Sequence, residues 1–514
     1  MDQPKERQKA ANRQLLMLTA IPFLVLLLYI VIPAFHVGFT SDDFVHLVED
    51  VNRPWYFSSD HLNRPLRNAL FRLLPAVFGL NPTPYRALAF AFYAVTALLL
   101  FRFLTVMGIH RFSALSATAL FLFFPRNHEF LFWFAAFQDL VAVSCVLVAC
   151  IAWISYLRNA RPLPFVAALL AYALALGFKE TAIGLPVVLF TLELLTTYTP
   201  APARLLGRLR RYSLFLAVAV VFAGYVFLAG SGNSTHATGV SIYKLTSLLG
   251  VVPPLLRTLV NIVLPFSPAL ALRDLKPFHI LMLALASATL LFAAKISTRR
   301  RLWLFSLCWF VVFALPVATF ARAVNADRYL MLPGIAVLLL FASALDRIDP
   351  FGWRVAILVW TCLLVYAFAG TKGLVHSREE YRAAAEEIDH LTSEAVQLLR
   401  SETVGPDSQI VFVNVTHSRN VGVLNNGLRG ALIAKGLSRG AAIVYNFSEL
   451  DHNQGLVQSL KSCTADRTGA TRQVVLLYSA GHLIDVTGKC ASKSYEADRN
   501  HRPNAWFDAL ASHD

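Results

Sequence analysis

The sequence predicts a polytopic α-helical membrane protein with a small soluble α/β domain at its C-terminal end. Three observations carry that expectation. Hydrophobic residues make up 56% of the 514 positions and mean hydropathy is +0.56, while charged residues reach only 15%, against roughly 25% in soluble domains. The apolar residues, among them 38 Phe, gather in runs that approach the roughly 20 residues a helix needs to cross a bilayer. The net charge is +15, but the Lys and Arg cluster in short loops between those runs. That pattern orients membrane helices and argues for membrane lipids, not nucleic acid, as the partner.

The first run, Leu15 to Ile32, follows a basic segment, residues 1–14, with Lys5, Arg7, Lys9 and Arg13. No small-residue cleavage site follows it, so it reads as an uncleaved anchor with a cytoplasmic N-terminus. Further spans are expected near 86–107, 113–125, 139–157, 163–178, 181–197, 211–229, 278–294, 303–320, 330–345 and 355–370. About 11 transmembrane helices result, in a domain covering 15–370. The even-numbered loops carry His110-Arg111, Arg158 with Arg161, Arg204 with Arg208, Arg210 and Arg211, Lys295 with Arg299 to Arg301, and Arg347 with Arg354. The positive-inside rule places these loops in the cytoplasm. It places 34–85, 126–138, 179–180, 230–277 and 321–329 outside, together with the C-terminal tail. Within 230–277, Leu248 to Val263 is apolar but interrupted by Pro253-Pro254 and Arg257, and it is expected to be a partly embedded or interfacial helix.

Beyond Val375 the pattern changes, and residues 371–514 are expected to form the extracytoplasmic α/β domain. His376 to Arg400 is charged and helix-patterned, with Tyr381, Ile388, Leu391, Val396 and Leu399 as its apolar face. Strand-like runs follow at Gln409–Asn414, Ala442–Tyr445 and Gln473–Tyr478, with a helical stretch, Leu424 to Leu437, between the first two. Cys145, Cys150, Cys308 and Cys362 lie in apolar spans, where cysteine acts as a small hydrophobe. Cys463 and Cys490 lie in the tail and are expected to form a disulfide in an oxidising compartment. The tail shows no catalytic constellation in its sequence. Gly422-x4-Gly427 is too weak to indicate a nucleotide loop, and Asn233, Asn414 and Asn446 open glycosylation sequons.

Polar residues recur in the outer loops at the ends of spans. The first loop has Asp42, Asp43 and His46, then His61 and Arg64. The second has Arg126, His128 and Glu129, with Trp133 and Asp139 beyond. The third is little more than Lys179-Glu180, and the loop before the tenth span reads Asn325-Ala-Asp327-Arg328-Tyr329. Thr40-x-x-Asp43 also fits a helix capping box, and Lys179-Glu180 also fits a helix-end ion pair. An ionisable residue at bilayer centre costs about 2.5–3.5 kcal/mol on insertion scales, so charges here are expected to face water or one another. Glycosyl transfer from a polyprenyl-phosphate needs a carboxylate to take the acceptor's proton and positive charge for the departing phosphate. Asp42 or Asp43 suits the first role. Arg328 or Lys179 suits the second, the guanidinium because its planar fork matches phosphate. A divalent cation held by carboxylates would serve the same end, but no metal ligand is assigned.

In this order, the motifs resemble those of the membrane-embedded C-type glycosyltransferases, the superfamily of protein O-mannosyltransferases and oligosaccharyltransferases. The likeness is to the membrane half of the tetratricopeptide-containing O-mannosyltransferases and their bacterial relatives. It rests on Asp42-Asp43; Asn63-Arg-Pro-Leu66 with Phe78-Gly-Leu-Asn-Pro82; His128-Glu129 with Trp133 and Asp139-Leu140; Phe178-Lys-Glu-Thr-Ala182; and Asp327-Arg-Tyr-Leu-Met-Leu-Pro333, over roughly residues 15–345. The resemblance implies a GT-C-like fold, a polyprenyl-phosphate-linked sugar donor, and a protein or glycolipid acceptor. It also implies an extracytoplasmic site, in a bacterial inner membrane. Catalytic acids then map to Asp42, Asp43 and Glu129, and substrate contacts to Arg64, His128, Lys179, Glu180, Arg328 and Tyr329. The sequence departs from the family where Pro125-Arg-Asn-His128 replaces the usual His-Pro, and it has no tetratricopeptide array. A transporter or lipid flippase shares this composition, but would favour inverted repeats and polar groups at mid-membrane. A non-catalytic anchor would leave the first-loop acids without a role.

Overall fold

The computed structural model describes residues 21–52, 64–196, 202–230, 249–266, parts of 276–284, 300–318, 326–346, 353–401, 409–413, 427–437, 442–445, 473–479 and 482–485. Cys463, Cys490 and the three sequons lie outside the described residues, as does most of the span expected at 278–294. The chain divides into two compact units. One comprises Met1–Phe35, Pro54–Leu70 and Thr83–Arg378; the other comprises His36–Arg53, Phe71–Pro82 and Glu379–Asp514.

The helices run in order: α1, Ile21–Ala34; α2, Pro65–Phe78; α3, Pro82–Val106; α4, Arg111–Leu122; α5, Phe137–Asn159; α6, Pro162–Phe178; α7, Leu185–Thr196; α8, Pro202–Gly230; α9, Val252–Val263; α10, Arg300–Ala318; α11, Met331–Leu345; and α12, Trp353–Ser401. Proline opens α2, α3, α6 and α8. Its fixed φ suits the first helical turn and its missing N–H is not needed there. Ala160, at φ 52°, ends α5 in the left-handed conformation just before Arg161-Pro162 starts α6.

Among the described residues five stretches are long and apolar enough to cross a membrane: Pro82–Val106, Phe134–Asn159, Arg300–Ala318, Asp327–Leu345 and Ile357–Arg400. Shorter apolar helices stand at Ile21–Ala34, Arg111–Leu122, Pro162–Phe178, Arg211–Val226 and Val252–Val263. The protein is an integral membrane protein, and its helices show apolar residues on both sides. Inward, Trp153 and Trp309 are fully buried, and the Trp309 indole donates to the Leu332 carbonyl at 2.7 Å. Ala168, Ala171 and Ala175 form a small-residue stripe that lets α6 pack on α5. Outward, Leu98, Val220 and Val221 are about 70% exposed at 68%, 70% and 71%, as side chains meeting lipid tails should be. The 12 residues of α9 rise only about 18 Å, too short for a bilayer core of about 30 Å. That agrees with an embedded or interfacial helix.

Two sequence expectations change. The span near 355–370 and the charged helix at 376–400 are one continuous 49-residue helix, α12, because no Pro falls between them and the helix carries Gly370 and Gly373 in its interior. Tyr381, Ile388, Leu391, Val396 and Leu399 are all buried, as expected. Helix α2 was not anticipated, since Arg67, Asn68 and Arg72 break its apolar run.

In the second unit the three strand-like runs form β1, Gln409–Val413, β2, Ala442–Tyr445, and β3, Gln473–Ser479. A fourth strand, β4, His482–Asp485, was not expected; His482 and Asp485 leave it only two apolar residues, whereas the four of β2 are all apolar. The sheet order is β2-β1-β3-β4, with β1 parallel to β2 and β3, and β3 antiparallel to β4. Ser479 pairs with His482 at the end of the β3–β4 ladder. The helical stretch before β2 is α13, Leu428–Ala434.

Candidate active site

In the first unit the charged loop residues sit on short 3-10 and helical turns between the long helices: Pro125–Asn127, His128–Phe132, Glu180–Gly184 and Asp327–Leu330. Such turns are tight, which fixes where each side chain leaves the backbone. Their charges are neutralised by one another. The Glu129 carboxylate accepts from the backbone N–H groups of Asp327 and Arg328 at 3.2 and 3.3 Å and from Arg328 Nη1 at 3.0 Å. Both of its oxygens therefore hold the turn that carries Arg328. Asp327 accepts from Arg126 Nη1 at 2.9 Å and lies 3.0 Å from His128 Nε2. Arg126 Nη2 donates to Asn261 on α9 at 3.0 Å.

A second group adjoins the next turn. Lys179 Nζ lies 3.1 and 3.3 Å from the two oxygens of Asp139 and 5.0 Å from the centre of the Tyr329 ring. Arg64 grips Glu180 with Nε and Nη2 at 2.7 and 2.9 Å, and donates from Nη1 to Gln138 at 3.0 Å. Asp139, Arg328 and Tyr329 border a small cavity of about 10 Å³ with Thr181, room for about one water.

The charges tune one another. Burial alone would raise the Glu180 carboxyl, but the charges of Arg64 and Lys179 and the Arg64 hydrogen bond hold it at about 2. Burial would lower His128, yet the hydrogen bond and charge of Asp327, with the charge of Glu129, raise it above the ordinary imidazole value.

Arg328 differs from its basic neighbours. Arg64 commits all three guanidinium nitrogens to Glu180 and Gln138. Arg328 commits only Nη1, to Glu129, and its remaining two nitrogens make no hydrogen bond among the described residues. Its guanidinium lies 4.6 Å from the Trp133 ring centre and 4.9 Å from that of Tyr329. Aromatic faces hold the plane of a guanidinium without using its donors.

The second unit holds the two aspartates. They open a helical turn, Asp42–Phe44, which widens to a π-turn over Val45–Glu49 and tightens to 3-10 over Asp50–Asn52. Half of the capping box is made. Asp43 Oδ2 accepts from the Thr40 N–H at 3.2 Å, while the Thr40 hydroxyl makes no hydrogen bond among the described residues. Asp43 is wholly buried and Asp42 partly exposed. Helix α13 packs against this turn. Glu49 accepts from the Gly430 N–H at 2.8 Å. A side chain at Gly427 or Gly430 would collide with the backbone of Ser41 or Phe44, so glycine permits the close approach. The tail thus supports the segment that carries Asp42 and Asp43.

Of the residues singled out from sequence, Arg64, His128, Glu129, Lys179, Glu180, Arg328 and Tyr329 lie on the linked turns of the first unit; Asp42 and Asp43 lie in the second. Sequence reasoning did not single out Arg126, Gln138, Asp139, Asn261 or Asp327 as site residues. Asp139, Asp327 and Arg126 stand inside quoted motifs or loops and were within reach. Asn261 gave one usable signal, a polar residue on the buried face of an amphipathic helix.

No protein-family model and no curated protein sequence matches the chain. Solved structures do. ArnT from Cupriavidus metallidurans in the apo state superposes with a TM-score of 0.54 at 12% identity, covering 91% of this chain and 93% of that one. The same protein bound to undecaprenyl phosphate gives 0.50 at 14% identity, covering 90% and 93%. The fold is that of the C-type membrane glycosyltransferases. The oligosaccharyltransferase of Archaeoglobus fulgidus, tethered to an acceptor peptide, gives 0.43 at 14% identity over 74% of this chain and 57% of that one. The C-type fold matches the resemblance read from the five motifs.

Proposed function

We propose that this protein transfers a sugar from a polyprenyl-phosphate-linked donor to a hydroxyl acceptor, a protein or a glycolipid, on the outer face of a bacterial inner membrane. The observation that carries this reading is Arg328, a half-buried guanidinium oriented by Glu129 and two aromatic rings, with two nitrogens that make no hydrogen bond among the described residues. A guanidinium held this way can take two oxygens of a phosphate at little reorganisation cost. The reaction breaks the bond between the anomeric carbon and the phosphate oxygen as the acceptor oxygen bonds to that carbon. The acceptor's proton goes to a carboxylate. Asp42 suits this role better than Asp43, because Asp43 is buried and already accepts from Thr40. Glu129 then positions Arg328, while Lys179 with Asp139 and Arg64 with Glu180 brace the turns beside it. The basic inner loops and the C-type fold support the outward-facing assignment.

The test is release of polyprenyl phosphate from synthetic polyprenyl-phosphate sugars by the full chain in nanodiscs, followed by mass spectrometry. Arg328→Ala should lower the rate by about 100-fold or more, the loss typical of one electrostatic donor, and Arg328→Lys should restore part of it. A flippase would move a labelled lipid across the bilayer with its sugar bond intact. That result, without release of polyprenyl phosphate, would sink the proposal.

A further inference from the structure

Outside the site already described, the second unit gathers three metal-ligating side chains. His390 and Glu394 are four residues apart on α12 and share a helix face. His482 opens β4. Glu394 Oε1 lies 3.4 Å from His482 Nδ1, and Glu394 Oε2 lies 3.9 Å from His390 Nδ1. One ligand atom from each of the three falls within 4.8 Å of the others, and the two imidazole centres are 5.7 Å apart. Glu394 is fixed by more than these contacts, because its Oε2 also accepts the Leu483 N–H at 3.0 Å. The cluster borders a hollow of about 960 Å³ that Gln397, Thr392, Arg382 and Lys435 also line.

We propose that His390, Glu394 and His482 form a site for Zn²⁺ or a similar borderline divalent ion. Two imidazoles and a carboxylate are a donor set that suits zinc. At zinc–ligand distances of about 2.0–2.1 Å, tetrahedral donors stand about 3.3 Å apart. The His482–Glu394 separation already meets this within 0.1 Å, at 3.4 Å. The wider gap to His390 closes by rotation of an imidazole that is 57% exposed. A plain histidine–glutamate ion pair would need only one imidazole. Here two converge on one carboxylate from separate elements, a helix and a strand. Three protein ligands leave a fourth position for water or another ligand, as in zinc sites that exchange ligands. The ion would also clamp the β4 edge of the sheet to α12, adding to the hydrogen bond from Leu483.

The test is zinc binding by the full chain in nanodiscs after chelator stripping, followed by titration against a chromogenic chelator. The chain has 14 histidines, so the difference between variants decides the outcome. Wild type should hold one more tight zinc than His482→Ala, His390→Ala or Glu394→Gln. Glu394→Gln keeps an oxygen for the Leu483 N–H and so separates loss of metal from loss of fold. Zinc should also slow proteolysis of the tail in wild type but not in Glu394→Gln. Equal stoichiometry and affinity in all four proteins would overturn the site. Displacement of the zinc by equimolar Ca²⁺ would overturn the imidazole assignment, because calcium takes oxygen ligands.

Discussion

In the first unit, buried charges are held by partners far along the chain. Arg64 and Glu180 are 116 positions apart, Glu129 and Arg328 are 199, and Arg126 and Asp327 are 201. Within the Asp42–Asp50 segment of the second unit two acids are held close to home, while Glu49 reaches Gly430, 381 positions on. Asp43 bonds to Thr40 three positions back, and His46 pairs with Asp50 four positions on at 3.5 Å. A long-range lattice ties several helices to one geometry, so disturbing a single member is felt across the bundle. A local turn can be altered with less effect on the rest, provided its packing glycines stay.

The sharpest way to break that comparison is a double-mutant cycle on Arg64 and Glu180. Glu180→Met alone strands a buried guanidinium and should cost about 3–5 kcal/mol, while Arg64→Met with Glu180→Met should recover most of it. Thermal unfolding in nanodiscs reads both; equal losses in the single and double variants would mean the pair does not act as a unit. The local turn should respond differently. Asp42→Asn should lower transfer by about 100-fold or more with little change in melting temperature. Asp43→Ala should lower the melting temperature too, through a stability loss of roughly 1–3 kcal/mol for a buried group left unpaired. The reverse pattern would exchange the roles of the two acids.

The smallest effect is in pH dependence, and its sign differs between two residues of the lattice. Glu180 is held at about 2, so its contribution is complete above the ordinary glutamate value of about 4.3 and fades as pH falls through about 2. His128 is raised; its contribution is complete below about 6.5 and fades as pH rises through the elevated value. Glu180→Gln should flatten the acid limb of a stability profile, and His128→Gln the neutral-to-alkaline limb.

The same contrast explains how much could be read from the sequence. Helices such as α3, α5 and α11 declare themselves through apolar length, and the Asp42-Asp43 turn through its capping spacing, because both signals lie within a few residues. The loops that carry the lattice were visible as polar breaks, but the pairing was not. Nothing near Glu180 says that its partner is Arg64, and nothing near Asn261 says that it meets Arg126. Strand β4 escaped because His482 and Asp485 flank only two apolar residues, unlike the apolar run of β2. The zinc cluster escaped because His482 lies 88 residues from Glu394 (482 − 394), and no motif links them.

The π-turn at Val45–Glu49 has a consequence for how this segment tolerates length changes. A π-turn closes i→i+5 and so houses one residue more than the α-helical turn. Deleting any one of those five would let the segment relax to ordinary winding and swing whatever precedes it by roughly 100°. The phase in which Asp42 and Asp43 are presented therefore depends on a residue count downstream of them, and a deletion there would re-aim both acids without touching either.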